Sequence, residues 1–145
     1  MSMWVFGYGS LLWNPGFEID EKQIGLMHGY ARSFCMRSIH HRGTAEHPGL
    51  VLALDEMDGA SCEGVALRVK AGDEEQTLAY LREQQVELEQ TNSQLEEQAQ
   101  AIATAVGDRG PNTEYLHNTA AHLVELGIED ADLNWLSRRV VALCS

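Results

Sequence analysis

Two closely spaced glycines follow a short apolar segment near the start of the chain. Trp4, Val5 and Phe6 combine aromatic and β-branched side chains, which favour a buried strand. Gly7 and Gly9 come next, and glycine both tolerates backbone angles that other residues resist and lets another group approach the main chain. A strand that ends in such a turn directs several backbone N–H groups into one concavity, which can hold a carboxylate or a phosphate. An ordinary turn is the alternative interpretation, and the third glycine of a dinucleotide-binding fingerprint is missing.

Other residues in or after this segment could act as a nucleophile, as metal ligands or as a carboxylate-binding group. Ser10 has no recognisable His and Asp partners, which argues against a nucleophilic serine. His40, His41 and His47 lie close together in sequence but lack a metal-ligand spacing, so no metal site is predicted. Arg42 can donate two hydrogen bonds to a substrate carboxylate, or it can brace the loop in which it lies.

The first half of the chain is predicted to form antiparallel strands. Residues 23–36 carry apolar side chains mostly at even spacing, with a bend or bulge at Gly29. Residues 49–54 form a second buried strand, the Asp-Gly pair within 55–61 predicts a hairpin turn, and 62–69 return as a third strand. The sequence therefore predicts a small curved antiparallel sheet or a partial β-barrel, which would protect the sheet edges.

The region from about 74 to 106 contains no glycine or proline and is rich in helix-forming residues. Apolar residues recur in it every seven positions, and they are Leu81, Leu88, Leu95 and Ile102. One continuous helix would protrude from the domain and favour a homodimer through this region. The alternative, which we favour, is a break that gives two helices at about 74–90 and 94–106, because Ser93 and Glu96 match a capping box.

The end of the chain predicts two further helices. Residues 112–126 place Tyr115, Leu116, Ala120 and Leu123 on one face, and Gly127 ends this helix. Asp130 or Asp132 can cap a last helix that runs to about residue 143. With the strands before them, these helices predict an α+β fold, and the length predicts one domain spanning residues 1–145.

Charge and composition exclude several classes of partner. The chain has 10 Lys and Arg against 22 Asp and Glu, a net charge of −12, which argues against nucleic acid and anionic membranes. No apolar run approaches the length of a membrane span, and no signal peptide is visible. The three cysteines are odd in number and widely spaced, so we expect reduced thiols in a cytoplasmic protein.

Three motifs together resemble one known family. They are Val-Phe-Gly-Tyr-Gly-Ser-Leu at residues 5–11 with Trp13, Arg-Ser-Phe at 32–34 leading to His-Arg-Gly-Thr at 41–44, and Gly-Pro-Asn-Thr-Glu-Tyr-Leu at 110–116. These segments are similar to the γ-glutamylcyclotransferases, in particular to the ChaC-like, glutathione-degrading branch. The resemblance implies that the α-amine of a γ-glutamyl peptide such as glutathione attacks its own γ-carbonyl, releasing 5-oxoproline and the remaining peptide or amine. This ring closure requires no metal and no organic cofactor.

The resemblance also implies particular site residues. The family's catalytic acid/base is a Glu preceded by Arg, and the Arg-Glu pair here assigns this role to Glu83. The usual spacing from Tyr80 instead reaches Gln85, whose amide cannot act as a base at neutral pH. A solvated surface carboxylate is the alternative interpretation of Glu83, and Glu87 is predicted to be a surface charge. The expected substrate-binding residues are Tyr8, Gly9, Ser10, Leu11 and Arg42.

The resemblance covers roughly residues 3–83 and 94–125, and family strands between these parts are absent here. Losing strands would open the sheet and remove one wall of the pocket, exposing an edge that favours a partner chain. A second hypothesis follows: a catalytically impaired relative that binds a γ-glutamyl ligand or oligomerises. A plain coiled-coil interaction protein is a third hypothesis, and it requires the continuous helix.

Overall fold

A computed structural model describes residues 2–145. It contains a four-stranded antiparallel sheet, a two-stranded hairpin and four α-helices. The strands are β1 (Trp4–Gly7), β2 (Ile19–Ser38), β3 (Gly49–Val69), β4 (Leu88–Gln90), β5 (Val106–Gly107) and β6 (Gly110–Pro111). The helices are α1 (Glu74–Gln85), α2 (Leu95–Thr104), α3 (Asn112–Glu125) and α4 (Ala131–Leu143), and Ser10–Leu12 form a single 3-10 turn. This is the predicted α+β class.

Two long strands form the centre of the main sheet, whose order is β1-β3-β2-β4. β2 pairs with β3 along almost its whole length, from Ile19 opposite Val69 to Ser38 opposite Gly49. β1 lies on the outer side of the second half of β3, and β4 pairs with the end of β2. The sheet is therefore antiparallel, as predicted, and it is not closed into a barrel.

The predicted hairpin turn at residues 55–61 is wrong. The chain reverses direction between β2 and β3, and 49–54 and 62–69 are two halves of the single strand β3. Where the two halves of β3 meet, the register of its pairing with β2 shifts. His28 pairs with Ser61, whereas Tyr30 pairs with Glu56. Gly29 and Gly59 have φ values of +84° and +81° at this irregularity, so the bend predicted at Gly29 is confirmed and the Asp-Gly pair belongs to a bulge.

The helical region at about 74–106 is divided into two helices, which confirms the interpretation we favoured. The strand β4 separates α1 from α2, so the heptad leucines do not share one helix, and the continuous-helix and coiled-coil hypotheses are wrong. The cap lies one residue later than predicted: Gln94 is the N-cap, and its N–H donates to Glu97 Oε1 at 3.2 Å. α2 also ends earlier than predicted, at Thr104, because Ala105 is extended.

The last three helices pack against one another, and α2 and α3 also pack on β3. Tyr115, Leu116, Ala120 and Leu123 of α3 are buried, as predicted. Gly127, at φ +75°, follows the end of α3, and Asp130 Oδ1 caps α4 by accepting from Leu133 N at 3.1 Å. Within residues 2–145, no helix is long and apolar enough to cross a membrane.

Side chains of α3 complete the part of β3 that β1 does not cover. Asn112, fully buried, accepts from Leu50 N at 2.8 Å through Oδ1 and donates to Leu50 O at 2.9 Å through Nδ2. Tyr115 Oη accepts from Leu52 N at 3.1 Å. Buried backbone groups need partners, so two side chains of the Asn-Thr-Glu-Tyr motif here replace a neighbouring strand.

The three cysteines differ in accessibility, which gives a direct test of the packing. Cys35 and Cys62 are buried free thiols, and burial raises the pKa of each, whereas Cys144 is exposed. Because the thiolate is the reactive form, we expect iodoacetamide at neutral pH to add one label per native chain, at Cys144. Intact mass should show three labels in urea, and three labels under native conditions would contradict this packing.

Candidate active site

A cavity of about 140 Å³ lies beneath the glycine turn, residues 7–11. The loop between β2 and β3 and the end of α1 supply other walls, and Tyr115 of α3 reaches it from below. All five predicted substrate-binding residues line this cavity, and they are Tyr8, Gly9, Ser10, Leu11 and Arg42. The structure thus brings together the glycine turn and Arg42, which are more than thirty residues apart in sequence.

The backbone of the glycine turn is held from outside the cavity. Arg32 Nε donates to Tyr8 O at 2.8 Å, and Arg32 Nη1 forms a partly buried ion pair with Asp130 Oδ2 at 2.9 Å. The backbone N–H groups of Tyr8 and Gly9 donate to no group in the described part of the chain. The turn therefore has the anchored main chain and free donors that the predicted anion-binding concavity requires.

Gly9 lies where a side chain does not fit. A Cβ added there would be 2.9 Å from Tyr115 Oη and 3.4 Å from Leu52 Cβ. Burial raises the pKa of the Tyr115 phenol well above its usual range, so its hydroxyl keeps its proton at neutral pH. The oxygen already accepts from Leu52 N, which leaves that proton available to a ligand in the cavity.

Arg42 is buried, and its side chain both braces the surrounding structure and lines the cavity. Its guanidinium lies over the Trp13 and Tyr115 rings, 5.7 and 5.8 Å from their centroids. Nη1 donates to Pro111 O at 3.1 Å and to Glu114 Oε1 at 3.0 Å. The bracing role is thus present, while Nε and Nη2 donate to no group in residues 2–145 and remain able to meet a carboxylate.

Trp13 ties the glycine turn to α3, because its Nε1 donates to Thr119 Oγ1 at 2.8 Å. We expect Trp13→Phe to lower the free energy of unfolding by about 1 kcal/mol, through the lost hydrogen bond. Urea denaturation would measure this, with Trp135→Phe, at a partly exposed position on α4, as the matched control. Equal stabilities of the two variants would contradict the anchoring role.

Glu83, the predicted acid/base, lies on the exposed side of α1 and does not line the cavity. Gln84 and Gln85 do line it. Residues two apart on a helix point about 200° apart, which is why only one of positions 83 and 85 can face the ligand. The structure therefore does not bring Glu83 to the other predicted site residues, and position 85 offers an amide.

Glu87 was predicted to be a surface charge, and this is wrong. It is 8% exposed, lines the cavity and binds the loop that follows β2. Its Oε1 accepts from Ser38 Oγ at 2.8 Å, and its Oε2 accepts from the backbone N–H groups of Ile39 and His40 at 2.7 and 3.2 Å. These contacts are far apart in sequence, so no local pattern distinguished Glu87 from the exposed glutamates around it.

His41 completes this carboxylate cluster and also lines the cavity. Its Nδ1 lies 3.1 Å from Glu87 Oε1. Burial and, next, the charge of Arg109 lower the pKa of His41, while Glu87 and Asp108 oppose the shift. The side chain is therefore neutral at neutral pH. From the sequence, His41 is the first residue of the His-Arg-Gly-Thr motif and a histidine without metal-ligand spacing, and neither feature predicts a catalytic role. In residues 2–145 no group of three His, Cys, Asp or Glu is arranged to hold a metal ion.

Comparison with known proteins places this site in a family. The model of the ChaC-like proteins matches residues 3–92 and 86–143, two parts that overlap at residues 86–92, just after α1. A γ-glutamylcyclotransferase 2-1 from Arabidopsis thaliana is 35% identical, with 90% of this chain and 78% of that protein covered. A glutathione-specific γ-glutamylcyclotransferase from Escherichia coli is 34% identical, with 91% and 70% covered. The chain belongs to the ChaC-like γ-glutamylcyclotransferases.

The fold agrees with this assignment. The crystal structure of a glutathione-specific γ-glutamylcyclotransferase from yeast superposes with a TM-score of 0.84, at 21% identity and with both chains fully covered. The Arabidopsis alignment runs over 168 positions, although 90% of this chain is only about 130 residues. About 38 positions of that alignment therefore have no counterpart here, which supports the inferred loss of an internal segment.

Proposed function

We propose that this protein cleaves glutathione to 5-oxoproline and Cys-Gly. The observation that carries the proposal is the cavity beneath the glycine turn, which is lined together by the turn with its free backbone donors, by Tyr115 and by Arg42. Relatives that are 34–35% identical over most of the chain are named γ-glutamylcyclotransferases, one of them glutathione-specific.

The proposed roles follow the chemistry of the substrate. The glycine turn at Tyr8, Gly9, Ser10 and Leu11 holds the γ-glutamyl end, chiefly through the free N–H groups of Tyr8 and Gly9, and Arg42 meets its α-carboxylate through Nη2. The α-amine then attacks the γ-carbonyl carbon, a five-membered ring closes, and the amide bond to cysteine breaks. Orientation alone accelerates such an intramolecular closure by several orders of magnitude, so a rigid, anchored turn is the main requirement.

The reaction moves protons from the attacking nitrogen to the leaving nitrogen and needs no metal or organic cofactor. The α-ammonium must lose a proton before it attacks, and the leaving amine must gain one. Glu83 was the predicted residue for this step, and its position on the exposed side of α1 gives that prediction no support. The cavity itself supplies a different group, the imidazole of His41.

The test is to incubate the purified protein with glutathione and follow 5-oxoproline and Cys-Gly. The control substrate is the isomer in which glutamate is linked through its α-carboxyl group, because attack of its amine on the γ-carboxyl group releases no Cys-Gly. We expect equimolar products from glutathione and no Cys-Gly from the isomer. Release of glutamate from both peptides would instead indicate a peptidase.

The second candidate is a relative that binds glutathione without cleaving it. The amide at Gln85 in the cavity favours it, since the family's acid lies at this spacing. Calorimetric binding of glutathione with no product after long incubation would establish this alternative. Gln85→Glu would then be the variant expected to gain activity.

Two further proposals concern the cellular location and the oligomeric state. A cytoplasmic location is supported by the free thiols and the substrate, which is abundant in reducing compartments. A homodimer is supported by exposed apolar residues on the sheet, Trp4, Ile24 and Leu26, although the continuous helix first proposed to mediate it is absent. Light scattering over a range of concentrations tests the dimer.

A further inference from the structure

We propose that His41 is the general base of the ring closure and that Glu87 is the residue that positions it. This inference rests on the proposed glutathione cleavage. It assigns the proton transfer to two residues for which the sequence predicts no catalytic role, and it explains how a chain with glutamine at position 85 can remain active.

The geometry defines which ring nitrogen of His41 acts. An ionised carboxylate only accepts hydrogen bonds, so Nδ1, 3.1 Å from Glu87 Oε1, carries the proton of the neutral imidazole. Nε2 is then the basic nitrogen. It has no hydrogen-bond partner in residues 2–145 and is not among their fully buried atoms, so a ligand in the cavity can reach it.

Glu87 is held rigidly enough to serve as an orienting group. Its two oxygens accept from Ser38 Oγ and from the N–H groups of Ile39 and His40, in addition to His41. These bonds occupy the carboxylate, which argues against Glu87 itself as the mobile base. They fix it against the loop that carries His41.

The hairpin formed by β5 and β6 holds this loop from the other side. Asp108 N donates to His40 O at 2.6 Å, and Arg109 N donates to His41 O at 2.9 Å. A Cβ at Gly107 would lie 2.5 Å from the backbone of this loop, so the two segments are in direct main-chain contact. His41 is thereby fixed at both backbone and side chain, as a pre-oriented catalytic group requires.

The charges around His41 suit a base that works near neutral pH. Burial, Arg109 and His40 lower its pKa, whereas Glu87 and Asp108 raise it, and the net direction is downward. The imidazole is therefore unprotonated at pH 7 and able to accept a proton. Gln84 and Gln85, which share the cavity, are not titratable.

The proton balance closes with His41 alone. Nε2 takes a proton from the α-ammonium, and the freed amine forms the new N–C bond at the γ-carbonyl. The imidazolium gives this proton to the cysteine nitrogen as the C–N bond to that nitrogen breaks. The second proton, which the new ring nitrogen must lose, passes through the same imidazole to the released amine, which leaves as an ammonium group. One C–N bond forms and one breaks, no water is consumed, and no oxidant or reductant takes part.

The test is a set of variants measured over pH 5–8 with glutathione. His41→Asn keeps an N–H donor near Glu87 but removes the basic nitrogen, so kcat should fall by about 100-fold or more with a small change in KM. His28→Asn, on the exposed middle of β2, is the matched histidine control and should retain full activity. Calorimetry with glutathione and urea unfolding would show that His41→Asn still binds and folds.

The pH profile separates a catalytic role from a structural one. In the starting protein kcat/KM should fall as pH drops through the pKa of His41, below its ordinary value of about 6.5. Glu87→Gln removes a charge that raises this pKa, so the acidic limb should move to lower pH while kcat falls. Glu89→Gln, the neighbouring exposed carboxylate, should leave the profile unchanged.

Four outcomes overturn the proposal. Full activity of His41→Asn would overturn this inference and leave the proposed function standing. The same holds if Glu87→Gln does not move the acidic limb of the pH profile. Loss of turnover in Glu83→Gln, with His41→Asn active, would return the role to Glu83. A starting protein that releases no 5-oxoproline overturns the proposed function and this inference together, so the two failures are distinguishable.

Discussion

Gly9→Ala should reduce cleavage of glutathione by about 100-fold, because misplacing a bound substrate by about 1 Å has this effect. The added Cβ would lie 2.9 Å from Tyr115 Oη, a distance that requires either the turn or the tyrosine to move. Tyr115 is buried and bound to Leu52 N, so the turn is the part that shifts. Its free N–H groups then lose their alignment toward the ligand.

Gly25→Ala is the matched control for this experiment. Gly25 lies in β2, and a Cβ there would meet only ordinary contacts at 3.8 and 3.9 Å. We expect Gly25→Ala to retain activity within a factor of two or so. Steady-state release of Cys-Gly measures both variants, and comparable rates would contradict the role of the glycine turn.

Asn112→Ala should lower the free energy of unfolding by about 2–4 kcal/mol, the largest stability effect expected from a polar residue in this chain. The substitution removes both hydrogen bonds to the backbone of Leu50 and leaves a buried N–H and a buried C=O without partners. Each unsatisfied buried group costs about 1–3 kcal/mol. Because α3 also carries Tyr115, loosening its first turn should weaken the cavity floor as well.

Asn118→Ala, later in the same helix, is the control for Asn112→Ala. Its side chain makes no hydrogen bond in residues 2–145 and it is only half-buried, so the expected loss is below about 1 kcal/mol. Urea denaturation at neutral pH compares the two. A loss for Asn112→Ala no larger than that for Asn118→Ala would show that α3 does not complete the sheet.

Features with a local cause were predictable from the sequence. The glycine turn, the buried face of α3 and the cap at Asp130 each depend on residues a few positions apart, and the structure has all of them. The bend at Gly29 is of the same kind, because its cause is the backbone freedom of one residue.

Features decided by distant contacts were not predictable in the same way. The Asp-Gly pair at 58–59 has the local signature of a hairpin, yet pairing with β2 on both sides makes it a bulge. Leu88 follows the heptad spacing of a helix but lies in β4, because the end of β2 offers an edge with which to pair. Glu87 is buried only because Ser38 and the following loop surround it.

The candidate site shows the same difference between features with a local cause and features decided by distant contacts. Sequence motifs supplied the glycine turn and Arg42, whose positions in the cavity the fold then joined. The helical phase of α1, which brings Gln85 and not Glu83 to the cavity lining, depends on how α1 packs and not on the Arg-Glu pair itself. The interaction of His41 with Glu87 joins two segments more than forty residues apart.

The most direct test of the central claim is product analysis of glutathione cleavage in water enriched in oxygen-18. Intramolecular attack predicts equal amounts of 5-oxoproline and Cys-Gly, neither of which carries the heavy isotope, because no water enters the products. Glutamate that carries oxygen-18 would show hydrolysis instead of ring closure. That result, or the absence of any product, would contradict the proposed γ-glutamylcyclotransferase activity of this chain.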